Sequence, residues 1–201
     1  MLKTSHFLKC LLLISSIVFF SPFTGCEKPP TDKLIRAEKA IDEAKQGEAD
    51  LYARDVVLQA EQALQKAKDF VAVKKYAEAK KVADDAVQLA KEASFLTEHN
   101  KTKIKTEAEQ IIKEVELTLD EIKSLSAEAM NKKTKFKKTK ANFHEIQEMI
   151  GKWETELQNI KNDLQAQKIL QASNALKALQ EQISIQKKII ITSLTTTRRK
   201  K

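Results

Sequence analysis

After Pro30 the chain contains no proline, and only Gly47 and Gly151 interrupt it with glycine. Strands of a sheet must be joined by turns, and turns draw on clusters of Gly, Pro, Asn and Asp. A chain with so few of these has little means of reversing direction every few residues. Its residues are 32% charged and 5% aromatic, with Ala, Lys, Glu, Gln and Leu prominent. That mixture belongs to long helices and coiled coils. The expected fold is all-α: elongated helical hairpins, or a coiled-coil-like bundle, with no sheet.

Apolar spacing divides the chain into helices. A first helix is expected from Thr31 or Asp32, as N-cap, to about Gln46, with Ala37, Ala40, Ile41 and Ala44 on one face and Gly47 as its stop. Val57, Ala60, Leu64, Ala67 and Val71 then recur at steps of three and four. The next seam residue, Tyr76, comes five positions later, and Ala79, Ala83, Ala86, Ala90 and Ala93 resume the 3-4 pattern. Such a seam marks helices packed lengthwise. A step of five swings a straight helix seam by ~140°, so a turn is expected at residues 72–75.

The pattern returns 93 residues on. Ile150, Trp153, Leu157, Ile160 and Leu164 are followed, after a step of five, by Ile169, Ala172, Leu176, Leu179 and Ile183. Leu64/Leu157, Gln65/Gln158, Lys68/Lys161, Lys75/Lys168 and Ala79/Ala172 are identical across this offset. The shared phase break predicts a duplicated helical hairpin, with its second turn at 165–168; two unrelated coiled-coil stretches are the alternative. Between the hairpins, Ala108, Ile111, Val115, Ile122, Leu125 and Ala129 carry an apolar face. The seam weakens over "TEHNKTK", residues 97–103, where a bend or break is expected. "NKKTKFKKTKAN" is expected to connect helices, and "TTTRRKK" to fray.

The N-terminus has the layout of an export signal. Lys3 and Lys9 flank the start of the apolar run "CLLLISSIVFF", which is short for a spanning helix of ~20 residues. "FTGC" follows and resembles the bacterial lipobox, although Phe23 stands where leucine is usual. The resemblance implies cleavage between Gly25 and Cys26 and lipidation of the Cys26 thiol. Cleavage would also remove Cys10, so Cys26 would have no disulfide partner. Acyl chains contribute ~0.8 kcal/mol per buried CH₂, and two or more give stable anchoring. Pro29 and Pro30 are expected to hold a short extended tether. Glu27 replaces the aspartate that signals inner-membrane retention in many Gram-negative lipoproteins, which favours the outer membrane and leaves the inner one open.

Residues 49–93 carry an early Tyr-Ala pair (Tyr52, Ala53), Ala60, Glu61 and Leu64 in the next helix, and "YAEAKKVADDA" at the opening of the helix after it. This stretch resembles an alanine-rich helical domain of unknown function found in Gram-negative lipoproteins. The resemblance covers about a third of the chain and implies an exported helical hairpin with no established activity. Relatives of that type tend to have glycine at the hairpin turn, where this chain has Lys74 and Lys75. Some continue into an OmpA-like peptidoglycan-binding domain, and the helical pattern of the second half excludes one here.

No constellation for catalysis stands out. His144 and Glu148 in "HEIQE" share a helix face but lack the second histidine of a zinc-protease motif. No glycine-rich phosphate loop is present, and Asp84–Asp85 read as solvated helix charges. No catalytic, cofactor-binding or metal-binding residue is assigned, and the chain is not expected to be an enzyme. The net charge is +8, with the excess after residue 98. For an exported chain this points to anionic envelope polymers or head groups, and not to nucleic acid.

The expected organisation is a signal peptide over 1–25, a tether over 26–31 and an alanine-rich hairpin domain over 32–98. A continuing helix and Lys-rich connection over 99–141, a second hairpin over 142–194 and a basic tail over 195–201 follow. The expected role is a periplasm-facing lipoprotein held in the outer membrane through Cys26, acting as an envelope scaffold or interaction module. Its partners would be envelope proteins or peptidoglycan, and self-association is compatible with the seams. Two other roles stay open. "KYAEAKKVADDAVQLA" resembles one helix of a tetratricopeptide-type, peptide-binding adaptor, although no recurrence near 34 residues accompanies it. The basic end, with Lys201 as candidate peptidoglycan contact, resembles the wall-tethering end of Braun-type lipoproteins, without the tyrosine usual there.

Overall fold

A computed structural model of the chain describes residues 28–131 and 137–199, with side chains over 28–128 and 144–192. The described residues form six helices and no strand: α1 (Thr31–Gln46), α2 (Ala49–Tyr52), α3 (Arg54–Ala72), α4 (Tyr76–Asn131), α5 (Lys137–Gln165) and α6 (Ile169–Arg199). The chain divides into two units. Among the described residues, 28–42 with 58–90 make the first, and 43–57 with 91–131 and 137–199 make the second.

In the first unit α1, α3 and the start of α4 pack as three helices around alanine. Ala37, Ala86 and Val87 meet beside Ala40, Ala63 and Leu64. Ile41, Ala60 and Ala90 form the neighbouring layer. Ala37, Ala60, Ala67, Ala79, Ala83 and Ala86 are completely buried. Side chains this small allow helix axes to approach toward ~8 Å. Lys33 on α1 binds both carboxylate oxygens of Asp84 on α4, at 2.6 and 2.8 Å. Lys68 on α3 pairs with Glu38 on α1 at 2.6 Å. These pairs are half-exposed, so each contributes at most ~1 kcal/mol; the apolar layer between them carries the packing.

The second unit is built with larger residues. Ala108, Ile112, Val115, Leu119 and Ile122 of α4 share one core with Ile150, Trp153, Leu157, Ile160 and Leu164 of α5. Ile169, Ala172, Leu176, Leu179, Ile183 and Ile190 of α6 complete it. A fully buried Leu or Ile side chain contributes ~1.5–3 kcal/mol. Every expected seam position from Ile150 to Ile183 is buried, the lone Trp153 among them. The third helix of this core was not legible as such in the sequence, because Ile112 and Leu119 lie beside the face expected for α4.

Both expected hairpin turns are present. α3 ends at Ala72, and Lys74 adopts φ 60°. The Lys74 N–H donates to Val71 O and the Lys75 N–H to Phe70 O, at 3.0 and 2.9 Å. After α5, Gln167 adopts φ 64°, its N–H donates to Leu164 O, and the Lys168 N–H donates to Asp163 O at 3.0 Å. Each is a Schellman ending, which satisfies two orphan carbonyls with one left-handed residue. The next helix starts at once, with Lys75 O and Lys168 O each accepting an N–H four residues ahead.

Three expectations need correction. α4 runs without a break through 97–103, because polar side chains, Thr97, Asn100 and Lys101, continue its seam there. α1 spans Thr31–Gln46 as expected, but its capping place is taken by Pro30, whose O accepts the N–H groups of Lys33 and Leu34. Pro is compatible with a helix start because its missing N–H would be unpaired there anyway. Gly47 follows the end of α1 as the expected stop, and Glu48 after it is left-handed, at φ 73°. The Lys-rich stretch re-enters helix at Lys137, and α6 continues through the expected tail to Arg199. No Gly or Pro stands in either segment to stop it. Residues 132–136, 200 and 201 lie outside the described residues.

Candidate functional site

Gly25 and Cys26, the expected cleavage and lipidation positions, and Lys201, the candidate peptidoglycan contact, lie outside the described residues. The first described residues are Lys28 to Pro30, and Pro30 is already buried at the start of α1. The helical bundle therefore begins four positions after Cys26 in the sequence.

The most elaborate polar site lies in the second unit, where the corner between α1 and α3 meets α4. Ala44, Ala49, Ala53, Val57 and Ala93 form its apolar floor. Lys101 crosses the corner: Nζ lies 2.7 Å from Glu48 and donates to Gly47 O at 3.0 Å. The same ammonium sits 5.3 Å from the centre of the Tyr52 ring. Asn100 Nδ2 donates to Tyr52 O at 2.7 Å. Thr97, completely buried, turns its hydroxyl back to Ala93 O at 2.7 Å. A corner that departs from helix leaves carbonyls unpaired, and α4 supplies the donors from the very residues where its apolar seam fades.

The Glu48 carboxylate raises the Lys101 pKa through its hydrogen bond, against a smaller opposing effect of burial. Lys123 is also raised, first by its hydrogen bond to Glu154 and then by that to Asp120, at 2.7 and 3.1 Å. A lysine acting as base or nucleophile needs its neutral form brought within reach of neutral pH. Both shifts run the other way.

The grooves of the second unit are bridged in the same manner. Between α4 and α6, Gln180 donates to Glu114 at 2.9 Å and Lys187 pairs with Glu121. Between α4 and α5, Lys161 meets Glu116 at 2.5 Å. His144 Nε2 lies 3.4 Å from Glu148, and both side chains are exposed. Among the described residues no group of three or more His, Cys, Asp or Glu side chains stands close enough to hold a metal ion. No described helix is long and apolar enough to cross a membrane.

These features define the class: an all-α protein of helical hairpins, with cores made of lengthwise seams and grooves bridged by ion pairs. No family model matches the chain, and neither a curated protein nor a solved structure does.

Proposed function

We propose that this protein is a lipid-anchored component of a bacterial envelope, acting as a helical scaffold or interaction module. The observation that carries the reading is the junction at Cys26. An export-type apolar run ends in a lipobox-like "FTGC", and a helical bundle starts at Pro30. Acylation of the Cys26 thiol would fix the bundle to a membrane through only a few residues of chain, with the outer membrane, seen from the periplasm, as its place. The alanine-rich first unit accords with the resemblance to helical domains of Gram-negative lipoproteins. Helical hairpins whose turns recur after 93 residues fit this role better than an adaptor built on repeats of about 34 residues.

The test is metabolic labelling with a fatty-acid analogue. Wild-type protein incorporates the label and fractionates with membranes, whereas Cys26→Ser loses the label and is released. A Cys26→Ser protein that keeps its label, or a wild type that never acquires one, overturns the anchoring.

A further inference from the structure

The contact layers of the first unit set the direction of its helices. Ile41, Ala60 and Ala90 share one layer, and Ala37, Leu64 and Ala86 the next. Between these layers the numbering falls by four in α1 and α4 and rises by four in α3. α1 and α4 therefore run parallel, and α3 runs against them. Lys33, bound to Asp84, continues the series. The start of α1, at Pro30, thus lies at the same end of the unit as the α3–α4 turn, residues 72–75.

That turn carries apolar residues that its backbone does not call for. Val73 is 63% exposed, and Phe70 and Tyr76 beside it are half-buried. The turn between α5 and α6 closes through the same hydrogen bonds. Val73 N–H to Asp69 O matches Ala166 N–H to Asn162 O, and Lys75 N–H to Phe70 O matches Lys168 N–H to Asp163 O. Alanine there stands in the place of Val73, and aspartate in the place of Phe70. Lys168 pairs with that aspartate at 3.1 Å. In the α3–α4 turn the Lys66 and Lys75 ammonium groups lie instead 5.9 and 6.0 Å from the centre of the Phe70 ring. An exposed valine beside a ring flanked by lysines is therefore not a requirement of this turn.

Charge at the tip is of one sign. Residues 70–77 contain Lys74 and Lys75 and no acid. Asp69 and Glu78 flank the stretch, Asp69 accepts from Gln65 at 2.9 Å, and Asp32 stands in the first turn of α1. Lys66, Lys74 and Lys75 are exposed. A soluble polyanion would engage these lysines and leave Val73 in water. A lipid surface takes both, with apolar side chains in the acyl boundary and ammonium groups at the phosphates. The position of Cys26 favours the same occupant. It precedes Pro30 by four residues, a length that reaches ~14 Å at most.

We infer that the α3–α4 turn is a membrane contact, in which Val73 and Phe70 enter the acyl boundary and Lys66, Lys74 and Lys75 meet anionic phospholipid head groups. This contact rests on the anchored reading proposed above and adds a second attachment at the lipid-bearing end of the first unit.

The test supplies the anchor chemically, so that the two readings fail separately. Full-length Cys10→Ser protein is coupled through Cys26 to a maleimide lipid in vesicles of phosphatidylcholine, with or without phosphatidylglycerol. A photoreactive benzophenone amino acid is placed at position 73, or at position 58, where the exposed Leu58 stands ~22 Å back along α3. On irradiation, position 73 is expected to cross-link to acyl chains at least about fivefold more than position 58, and its yield should rise about threefold with phosphatidylglycerol. In K66Q/K74Q/K75Q that rise should vanish, with helix content unchanged by circular dichroism. Equal yields at the two positions overturn the contact. A yield at position 73 that is indifferent to phosphatidylglycerol, or to the three lysines, overturns the head-group assignment. Absence of fatty-acid label on Cys26 in cells overturns the natural anchor and not this contact, because here the anchor is supplied.

Discussion

Lys74 and Gln167 hold the same left-handed backbone conformation, at φ 60° and 64°, in turns 93 residues apart. Each stands two residues past the end of its helix, and each precedes a lysine whose N–H reaches back across the turn. Neither is glycine, and a side chain in this region costs ~1–2 kcal/mol. Lys74→Gly and Gln167→Gly are therefore expected to stabilise the chain by about 0.5–1 kcal/mol each, after the entropy of the added glycine is offset. Urea unfolding of the two variants measures this. Loss of stability in both would mean that the lysine and glutamine side chains contribute more than the backbone strain costs.

Gly151 gives the opposite case, a glycine without a reason in the backbone. It lies within α5 at ordinary helical φ, and a Cβ built there meets nothing within 4 Å. Gly151→Ala is expected to gain about 1 kcal/mol from helix propensity. Gly47→Ala should gain less, because its Cβ would stand 3.3 Å from Ala44 O. Thermal melts of the two variants should rank in that order.

Ser126 is a buried polar residue that its surroundings do not satisfy. It is 2% exposed, and among the described residues its hydroxyl has no hydrogen-bond partner. An unpaired buried polar group costs about 1–3 kcal/mol. Ser126→Ala removes it while leaving a small void, so stability is expected to be equal to wild type or up to about 1 kcal/mol higher. A loss of more than that in chemical denaturation would show that the hydroxyl has a partner.

The hairpin turns and the buried faces of α3, α5 and α6 were legible because apolar 3-4 seams and their phase breaks are sequence properties. The continuity of α4 was not legible from apolar residues alone. From Ala93 the seam phase passes through Thr97, then Asn100 and Lys101, then Ile104 to Ala108, still at steps of three and four. Burial marks the same path: Thr97 is buried, and Asn100, Lys101 and Ile104 are half-buried. Reading phase without regard to polarity would have carried the helix through. The identity of the groups that Lys101 meets was beyond the sequence, because Gly47 O and Tyr52 become its neighbours only when the α1–α3 corner docks.

Lys101 makes the stability of the second unit sensitive to alkaline pH. Its folded pKa is raised above 10.5, chiefly by the Glu48 hydrogen bond. A raised pKa means that the charged form favours folding; the contribution is complete below the unfolded value and fades as pH rises through the folded one. Lys101→Met keeps much of the aliphatic stem and removes the ammonium. It is expected to cost about 1–2 kcal/mol at neutral pH, from the lost charge-assisted contacts to Glu48 and Gly47 O. The gap between wild type and variant should stay constant up to about pH 10 and narrow above it. A gap that is unchanged through the alkaline range would assign the cost to packing against Tyr52 instead of charge.

The two units differ in the size of what they bury, and opposite substitutions should expose this. Ala86 is completely buried where α4 meets α1 and α3, among Ala37, Ala40, Ala63 and Leu64. Ala86→Leu adds a branched side chain to a seam closed by methyl groups, which forces the helices apart and should cost about 1–3 kcal/mol or more. Leu179 is completely buried between Leu and Ile neighbours of the second core. Leu179→Ala leaves a cavity there and should cost about 2–5 kcal/mol. Hydrogen exchange locates each effect: Ala86→Leu should lower protection in α1 and α3, and Leu179→Ala in α5 and α6. If Ala86→Leu leaves α1 and α3 protected as in wild type, the alanine seam is not closely packed, and its small residues have some other reason to be there.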